Sequence, residues 1–483
     1  MPKGITVVGL GPGKPGLLTV EAQRVLQNTR DIYVRTKRHP TVEALPTSAL
    51  VRSFDDVYEQ FGTFQEVYAE IASRVIELGG REDGVVYAVP GHPLVGEASV
   101  QRVLDMAQER TLAVQIVDGL SFVEPVCTRL KIDALNGLQI ADATELAMLH
   151  YPSFNPDLPV LLGQVYSRGI ASDVKLVLMA LYPDEHEVTL VRGAGTAGEW
   201  VHRIPLYELD RVQQVDHLTS LYVPPLPQPG SLSAFQEVVA RLRAPGGCPW
   251  DREQSHLSLR PFLLEETYEV LAALDSEDTS ALKDELGDLL LQILLHAQIA
   301  IEDEEFRMAD VVAHILTKLK RRHPHVFGEV HVSGAEEVLV NWEHIKSEER
   351  AHEQEQGILT GVPRGLPALA RAQSLQRRAA RWGFSWPNVD RAWGKAEEEW
   401  QELRKAADGD AREAELGDLL FALVSLASWL HVDAESALRQ AVSRFEQRFA
   451  ALECACAAAG RDLASLEPAE WDELWSRTRT QSG

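Results

Sequence analysis

Cysteine is scarce in this chain, four residues in 483. Cys127, Cys248, Cys454 and Cys456 have neither the number nor the spacing of a disulfide scaffold or a zinc site. Cys454 and Cys456 stand two apart in a helical pattern, so they point in different directions and do not share a ligand. Basic residues are in deficit too. With 47 Lys and Arg against 72 Asp and Glu, the formal net charge is −25, which excludes a broad basic face for nucleic acid. Phosphate ligands stay open, because a bound divalent cation reverses the local field. Long apolar runs are also lacking, and no segment reaches the roughly 18 continuous apolar residues of a membrane span. The opening "MPKGITVVGLGPG" enters a glycine turn too soon for a secretory signal. The expectation is a soluble cytoplasmic protein without a membrane partner and without direct nucleic-acid binding.

What is present has the apolar share of an ordinary globular chain, 45%, at a length that implies two to four domains. Over residues 1–222 short β-branched runs alternate with helical patterns, as in an α/β domain. "ITVVGL", "GVVYAV", "LAVQIVD", "LPVLLG" and "EVTLVRG" are the predicted strands, and "WVHRIPLYELDRV" closes the domain. The stretch "VPPLPQPG", residues 223–230, reads as a linker, since proline and glycine remove both donors and regularity. Beyond it the pattern is helical. A first helical domain is expected over 231–350 and a second over 368–483, with a charged, breaker-rich linker at 351–367.

The two helical sets look like one duplicated unit. In the first, "LLEETYEVLAAL" carries Glu266 and Glu269, followed by Glu285 and Asp288 in "DELGDLL". In the second, "KAEEEWQEL" carries Glu399 and Glu402, followed by Glu415 and Asp418 in "AELGDLL". Positions i and i+3 share a helix face, so each pair projects two carboxylates in one direction. Two such helices packed antiparallel gather four carboxylates, whose mutual repulsion calls for a cation. Oxygen ligands on a hard ion suit Mg2+, which accepts phosphate oxygens as its remaining ligands.

"RLRAPGGCPWDREQSH", "LKDELGDLLLQILLHAQIA", "KLKRRHPHVFGEV" and "RWGFSWPNVDRAWGKAEEEWQEL" resemble the MazG nucleoside triphosphate pyrophosphohydrolases, over the chain from about Ser231 to its end. The resemblance implies tandem all-α domains, a dimer, and hydrolysis of nucleoside triphosphates to monophosphate and pyrophosphate on Mg2+ held by these acids. It favours the second copy as the working one. There Lys395 stands four residues before Glu399, on the metal-binding face, where its ammonium meets phosphate; the corresponding residue of the first copy is Phe262. Glu398 is the candidate base for the attacking water. Arg444 and Arg448 match the family's basic segment and are candidates for the β- and γ-phosphates. Val442 replaces an asparagine common in the family, which leaves the first copy, with Lys318, Lys320, Arg321 and Arg322, as the alternative. His323 and His325 around Pro324 suit a turn better than a metal.

At the N-terminus, "VVGLGPGKPGLLT" lacks the third-glycine spacing of a dinucleotide fingerprint. With "AVPGHPLVGEASV", "DGLSFVEPV" and the segment 163–191, it resembles the tetrapyrrole methylases, two α/β lobes with S-adenosylmethionine in the cleft. That resemblance implies cofactor contacts at Pro12, Pro90, Gly91, His92, Ser121 and Gln164. His92 stands where the family often has Asp, and Lys14 where it has an acid. The fold class expected is therefore multidomain, a two-lobed α/β methylase-like domain followed by two all-α MazG-like domains. Two functions compete: a Mg2+-dependent pyrophosphohydrolase with a methylase-like domain that binds S-adenosylmethionine, or a tetrapyrrole methyltransferase whose helical region regulates or dimerises. Partly apolar faces at "LLLQILLHAQIAI" and "LLFALVSLASWL" point to a homodimer.

Overall fold

The computed structural model describes residues 4–479 apart from 336, 339, 340, 343, 344, 346–358, 460, 464 and 465. The chain divides into two compact units, Met1–Arg252 and Glu253–Gly483.

The first unit contains two five-stranded sheets. In one, β1 (Ile5–Gly9), β2 (Asp31–Val34), β3 (Leu50–Ser53), β4 (Val85–Val89) and β5 (Val114–Val117) lie in the order β3-β2-β4-β1-β5, all parallel. Every residue of β4 is buried, as a parallel strand covered on both faces requires. Each fully buried valine there contributes roughly 1.5–3 kcal/mol. The helix Phe64–Gly79 covers this sheet; it starts at a capping box in which Thr63 and Glu66 satisfy each other's backbone N–H. Its Val67, Ile71, Val75 and Ile76 join Val7, Val85 and Tyr87 in one core.

The second sheet comprises β6 (Gln139–Asp142), β7 (Val160–Gly163), β8 (Glu187–Arg192), β9 (Trp200–Pro205) and β10 (Thr219–Val223), in the order β6-β7-β10-β8-β9. Only β6 and β7 run parallel; the other pairs are antiparallel. The strands predicted from β-branched runs form β1, β4, β5, β7 and β8, and the segment expected to close the domain contributes β9. The proline-rich stretch 223–230 does not end the unit. Asp157 accepts hydrogen bonds from the Gly230 and Ser231 N–H groups, and Ser231 caps the helix Leu232–Arg243, which belongs to the same unit.

The second unit is helical: α1 (Arg260–Asp275), α2 (Thr279–Glu302), α3 (Met308–Arg322), α4 (Ala368–Arg381), α5 (Val389–Lys405), α6 (Gly409–Trp429), α7 (Ala434–Ala458) and α8 (Pro468–Arg479) are its main elements. α1 packs on α2 as α5 packs on α6, the pairing the duplicated sequence implies. Asp278, Asn388, Asp408 and Asp433 cap α2, α5, α6 and α7 by accepting first-turn backbone N–H groups. The predicted linker 351–367 lies outside the described residues over 351–358. No single helix among the described residues is long and apolar enough to cross a membrane.

Candidate active sites

Two acid clusters form where the helix pairs face each other. α1 contributes Glu266 and α2 contributes Glu285 and Asp288; one carboxylate oxygen from each lies within 4.8 Å of the others. Glu269, one turn on from Glu266, acts on both glutamates. Desolvation first, then Asp288 and Glu269, hold the Glu266 carboxyl above its usual range. Glu285 is raised in the same way, by desolvation and then by Glu269 and Asp288. These acids repel one another, and a cation is what relieves them.

The second cluster repeats the first. Glu399 from α5 and Glu415 and Asp418 from α6 bring carboxylate oxygens within 4.8 Å of one another, and Glu399 is buried at 6% exposure. Desolvation, then Glu399 and Glu415, raise Glu402. Here the chain supplies a cation of its own: Lys395 Nζ lies 2.6 Å from Glu399 and 3.0 Å from Glu398. Glu399 first, then Glu398, push the lysine above its usual range, so it stays charged. All eight predicted metal residues thus fall in the two clusters or beside them. The donor set is oxygen throughout, which fits a hard divalent ion such as Mg2+ and not a thiophilic one.

The basic residues sort differently. Arg444 is exposed on α7. Arg448 is taken up by Trp475: its guanidinium carbon lies 3.9 Å from the ring centroid and its Nη2 donates to the Trp475 carbonyl at 3.0 Å. In the first copy, Arg322 stands 5.8 Å from the Trp342 ring centroid, and His323 bonds the Leu319 carbonyl, the local role expected of it.

In the first unit, a cavity of about 690 Å³ is lined by segments that follow strands of the parallel sheet and by residues of β8 and β10 in the second sheet. Gly11 and Gly91 exchange backbone hydrogen bonds of 3.2 and 2.8 Å, drawing the loops after β1 and β4 together. A Cβ on Gly9 would stand 2.7 Å from the Gly91 carbonyl oxygen and the Gly119 nitrogen, so these strand ends meet only because the side chains are absent. Pro12, Pro90, Gly91 and Gln164 line the cavity, the last with φ 62° and its amide donating to Asp142 at 2.6 Å. His92 and Ser121 are not among its lining residues. His92 accepts from the Leu94 N–H and lies 3.5 Å from Asp118, while the Ser121 hydroxyl donates to Glu124 at 2.7 Å.

Sequence reasoning missed the polar wall of this cavity. Arg35 Nε lies 3.3 Å from Glu97, whose side chain is 3% exposed; Glu97 accepts from Ser99, which bonds Tyr87. Burial opposes the Arg35 charge, but Glu97 and the nearby tyrosines outweigh it and leave the guanidinium above its usual range. Burial, then Arg35, pushes His39 down to about 4. Arg35 follows directly on β2, a four-residue strand with no apolar run to announce it.

The family model for the MazG nucleotide pyrophosphohydrolase domain matches residues 254–327, and that for Tetrapyrrole (Corrin/Porphyrin) Methylases matches residues 4–210. The chain is 41% identical over 489 residues to "Uncharacterized protein YabN" of Bacillus subtilis, covering 98% of each chain. It is 44% identical over 250 residues to a nucleoside triphosphate pyrophosphohydrolase of Escherichia coli, covering 50% of this chain and 95% of that one. Among solved structures, uroporphyrin-III-C-methyltransferase from Thermus thermophilus aligns with 46% of this chain and 92% of its own, at 20% identity and a TM-score of 0.36.

Proposed function

Since the chain belongs to the MazG nucleoside triphosphate pyrophosphohydrolase family, with a tetrapyrrole methylase domain ahead of its helical region, we propose that it hydrolyses nucleoside triphosphates to monophosphate and pyrophosphate. The observation that carries this reading is the pair of oxygen-only acid clusters, of which the second, with Lys395 beside it, is taken as the working centre. Bound there, Mg2+ supplies charge neutralisation for the triphosphate. Water attacks the α-phosphorus, the bond from that phosphorus to the α,β-bridging oxygen breaks, and pyrophosphate leaves with the oxygen. The proton of the water passes to a carboxylate. Glu398 suits this role because it is exposed at the edge of the cluster and held by Lys395 at 3.0 Å. Lys395 has a phosphate oxygen as an alternative acceptor to Glu398, and Arg444, exposed on α7, is free to take the outer phosphates. Pyrophosphate release from a panel of nucleoside triphosphates, dependent on Mg2+ and abolished by a chelator, is the test. Release of orthophosphate alone would reject the reaction.

For the first unit we propose binding of S-adenosylmethionine in the cavity lined by Pro12, Pro90, Gly91 and Gln164. Glycine and proline loops let main-chain groups approach a ligand closely, and the cavity volume lies in the range that encloses a cofactor. Calorimetry with S-adenosylhomocysteine tests it, and no heat of binding at millimolar ligand rejects it.

We further propose a homodimer. Trp400 on α5 and Leu416, Leu420 and Phe421 on α6 are between 45% and 51% exposed, a density of large apolar side chains that single chains seldom leave in water. A monomeric mass at micromolar concentration would reject the dimer.

A further inference from the structure

The cavity of the first unit says more about its second ligand than about its cofactor. Its lining contains two arginines, Arg35 and Arg38, and four acids, Asp55, Glu59, Glu97 and Asp216. Arg35 is already matched, facing Glu97 at 3.3 Å, whereas Arg38 is exposed and only adds to the hydrogen bonds that lower Asp55. Asp216 is itself held by Arg192 at 2.8 Å. The four acids outnumber the two arginines, His217 is the second histidine of the lining, and burial keeps the first, His39, uncharged at neutral pH. A polycarboxylate brought here would lose its hydration and meet more acids than arginines.

The lining also holds aromatic side chains. Tyr58, Tyr68, Phe64 and Tyr166 form a continuous chain of rings: Tyr58 and Tyr68 meet edge to face at 6.5 Å, Phe64 stacks on Tyr68 at 6.0 Å, and Phe64 meets Tyr166 edge to face at 5.7 Å. Tyr166 follows β7 and Phe64 begins the helix over the parallel sheet, so the chain of rings spans the two sheets' sides of the cavity. Arg35 keeps donors to spare. Its Nη1 reaches the Tyr68 hydroxyl only at 3.4 Å, and its Nε, though near Glu97, has no hydrogen bond of proper geometry. A guanidinium whose charge is balanced but whose donors are incompletely used recognises a neutral acceptor atom.

We propose that, beside S-adenosylmethionine, this cavity takes an uncharged planar heteroaromatic of nucleobase type, with a carbonyl or ring nitrogen turned to Arg35, and rejects polycarboxylate macrocycles. The inference rests on the cofactor reading above and deepens it by naming the acceptor class. In the transfer, the S–CH3 bond of the sulfonium breaks and its electron pair stays on sulfur, leaving the thioether. The new bond forms from methyl carbon to a ring nitrogen, whose proton, where it carries one, leaves to water.

The test uses the full chain, titrated with adenosine, guanosine, cytidine and uridine, with their 5′-monophosphates, and with uroporphyrin III, each in the absence and presence of saturating S-adenosylhomocysteine. Saturation blocks the cofactor's own adenosine subsite. The expected result is binding of at least one nucleoside to the saturated protein, with its monophosphate at least tenfold weaker and uroporphyrin III weaker still. Tighter binding of uroporphyrin III than of every nucleoside overturns the proposal, as does the absence of all nucleoside binding while S-adenosylhomocysteine binds. Failure of S-adenosylhomocysteine to bind is a different result, and it removes the cofactor reading itself. Two variants read the charge argument directly. Glu97→Gln frees Arg35 and is expected to raise the affinity for the monophosphate at least fivefold, with retained S-adenosylhomocysteine binding as the check on folding. Glu59→Gln, at an exposed position, is expected to raise it two- to threefold. No rise in either variant that still binds S-adenosylhomocysteine overturns the charge argument.

Discussion

The two acid clusters of the helical unit share their residues' spacing and differ in what balances them. Beside Glu399 stands Lys395, its ammonium 2.6 Å away. At the matching position before Glu266 stands Phe262, and among the described residues no ion pair reaches Glu266, Glu269, Glu285 or Asp288. Carboxyls are raised in both clusters, by burial first and then by acid neighbours, Glu266 and Glu285 in the first and Glu402 in the second. The second meets part of its need for positive charge from within the chain. The duplicated framework thus differs at one residue, and among the described residues only the second cluster has a cation ion-paired to one of its acids, Lys395 with Glu399.

The largest break in this comparison is expected from the acids themselves. Glu399→Gln with Glu402→Gln is expected to lower pyrophosphate release by about 100-fold or more, since the charge stabilisation supplied through a metal site is worth several kcal/mol. Glu266→Gln with Glu269→Gln is expected to stay within about threefold of wild type. The opposite pattern of rates would move the working centre to the first copy and leave Lys395 a structural residue.

Lys395→Met separates the lysine's two roles. Loss of a charge-assisted contact to phosphate is expected to lower kcat/KM by about 10- to 100-fold. The same change removes a competitor for Glu399, so Mn2+ titrated by electron paramagnetic resonance is expected to bind the second cluster more tightly. A lower rate with unchanged Mn2+ affinity would show that the ammonium serves phosphate alone. An unchanged rate would remove it from the reaction.

Smaller effects are expected on α7. Arg444→Ala, at an exposed position, is expected to raise KM for the triphosphate about tenfold, one charge-assisted contact. Arg448→Ala is expected to act on stability instead, lowering it by roughly 0.5–2 kcal/mol, because its guanidinium lies over Trp475. A larger KM effect at Arg448 than at Arg444 would mean that Arg448 leaves Trp475 when nucleotide binds.

Much of this contrast was legible in the sequence. The i, i+3 acids fixed both helix faces and the repeat, and four-residue spacing placed Lys395 beside Glu399, because helical periodicity is a local property. In the first unit, the β-branched runs of β1, β4, β7 and β8 announced themselves in the same way. The polar wall did not. Arg35 and Glu97 are 62 positions apart in sequence and meet only through the parallel order β2-β4, which no local pattern encodes. The expected cofactor residues divided for a related reason: Pro12, Pro90, Gly91 and Gln164 reach the cavity, while Ser121 and His92 are drawn to acids close by, Glu124 and Asp118.

The smallest expected effect tests whether the two copies work as one body. Arg439 on α7 of the second copy binds Asp275 at the C-terminal end of α1 in the first, at 2.6 Å. A carboxylate there opposes the helix dipole, and the guanidinium offsets it, holding Asp275 below its usual range. Both side chains are about a quarter exposed, 23% and 25%, so screening limits the pair to about 0.2–1 kcal/mol. Asp275→Asn is accordingly expected to lower Tm by about 1–4 °C at pH 7. The sign with pH follows from the depressed carboxyl: the stabilisation is complete above the unfolded value of about 3.9 and is lost as pH falls through the lower folded one. The gap between wild type and Asp275→Asn should therefore close in acid and stay level from pH 5 to 8. Pyrophosphate release from the variant is expected to match wild type. A fall in release without a matching fall in Tm would mean that the second cluster depends on its contact with the first, and that the unbalanced copy supports the balanced one.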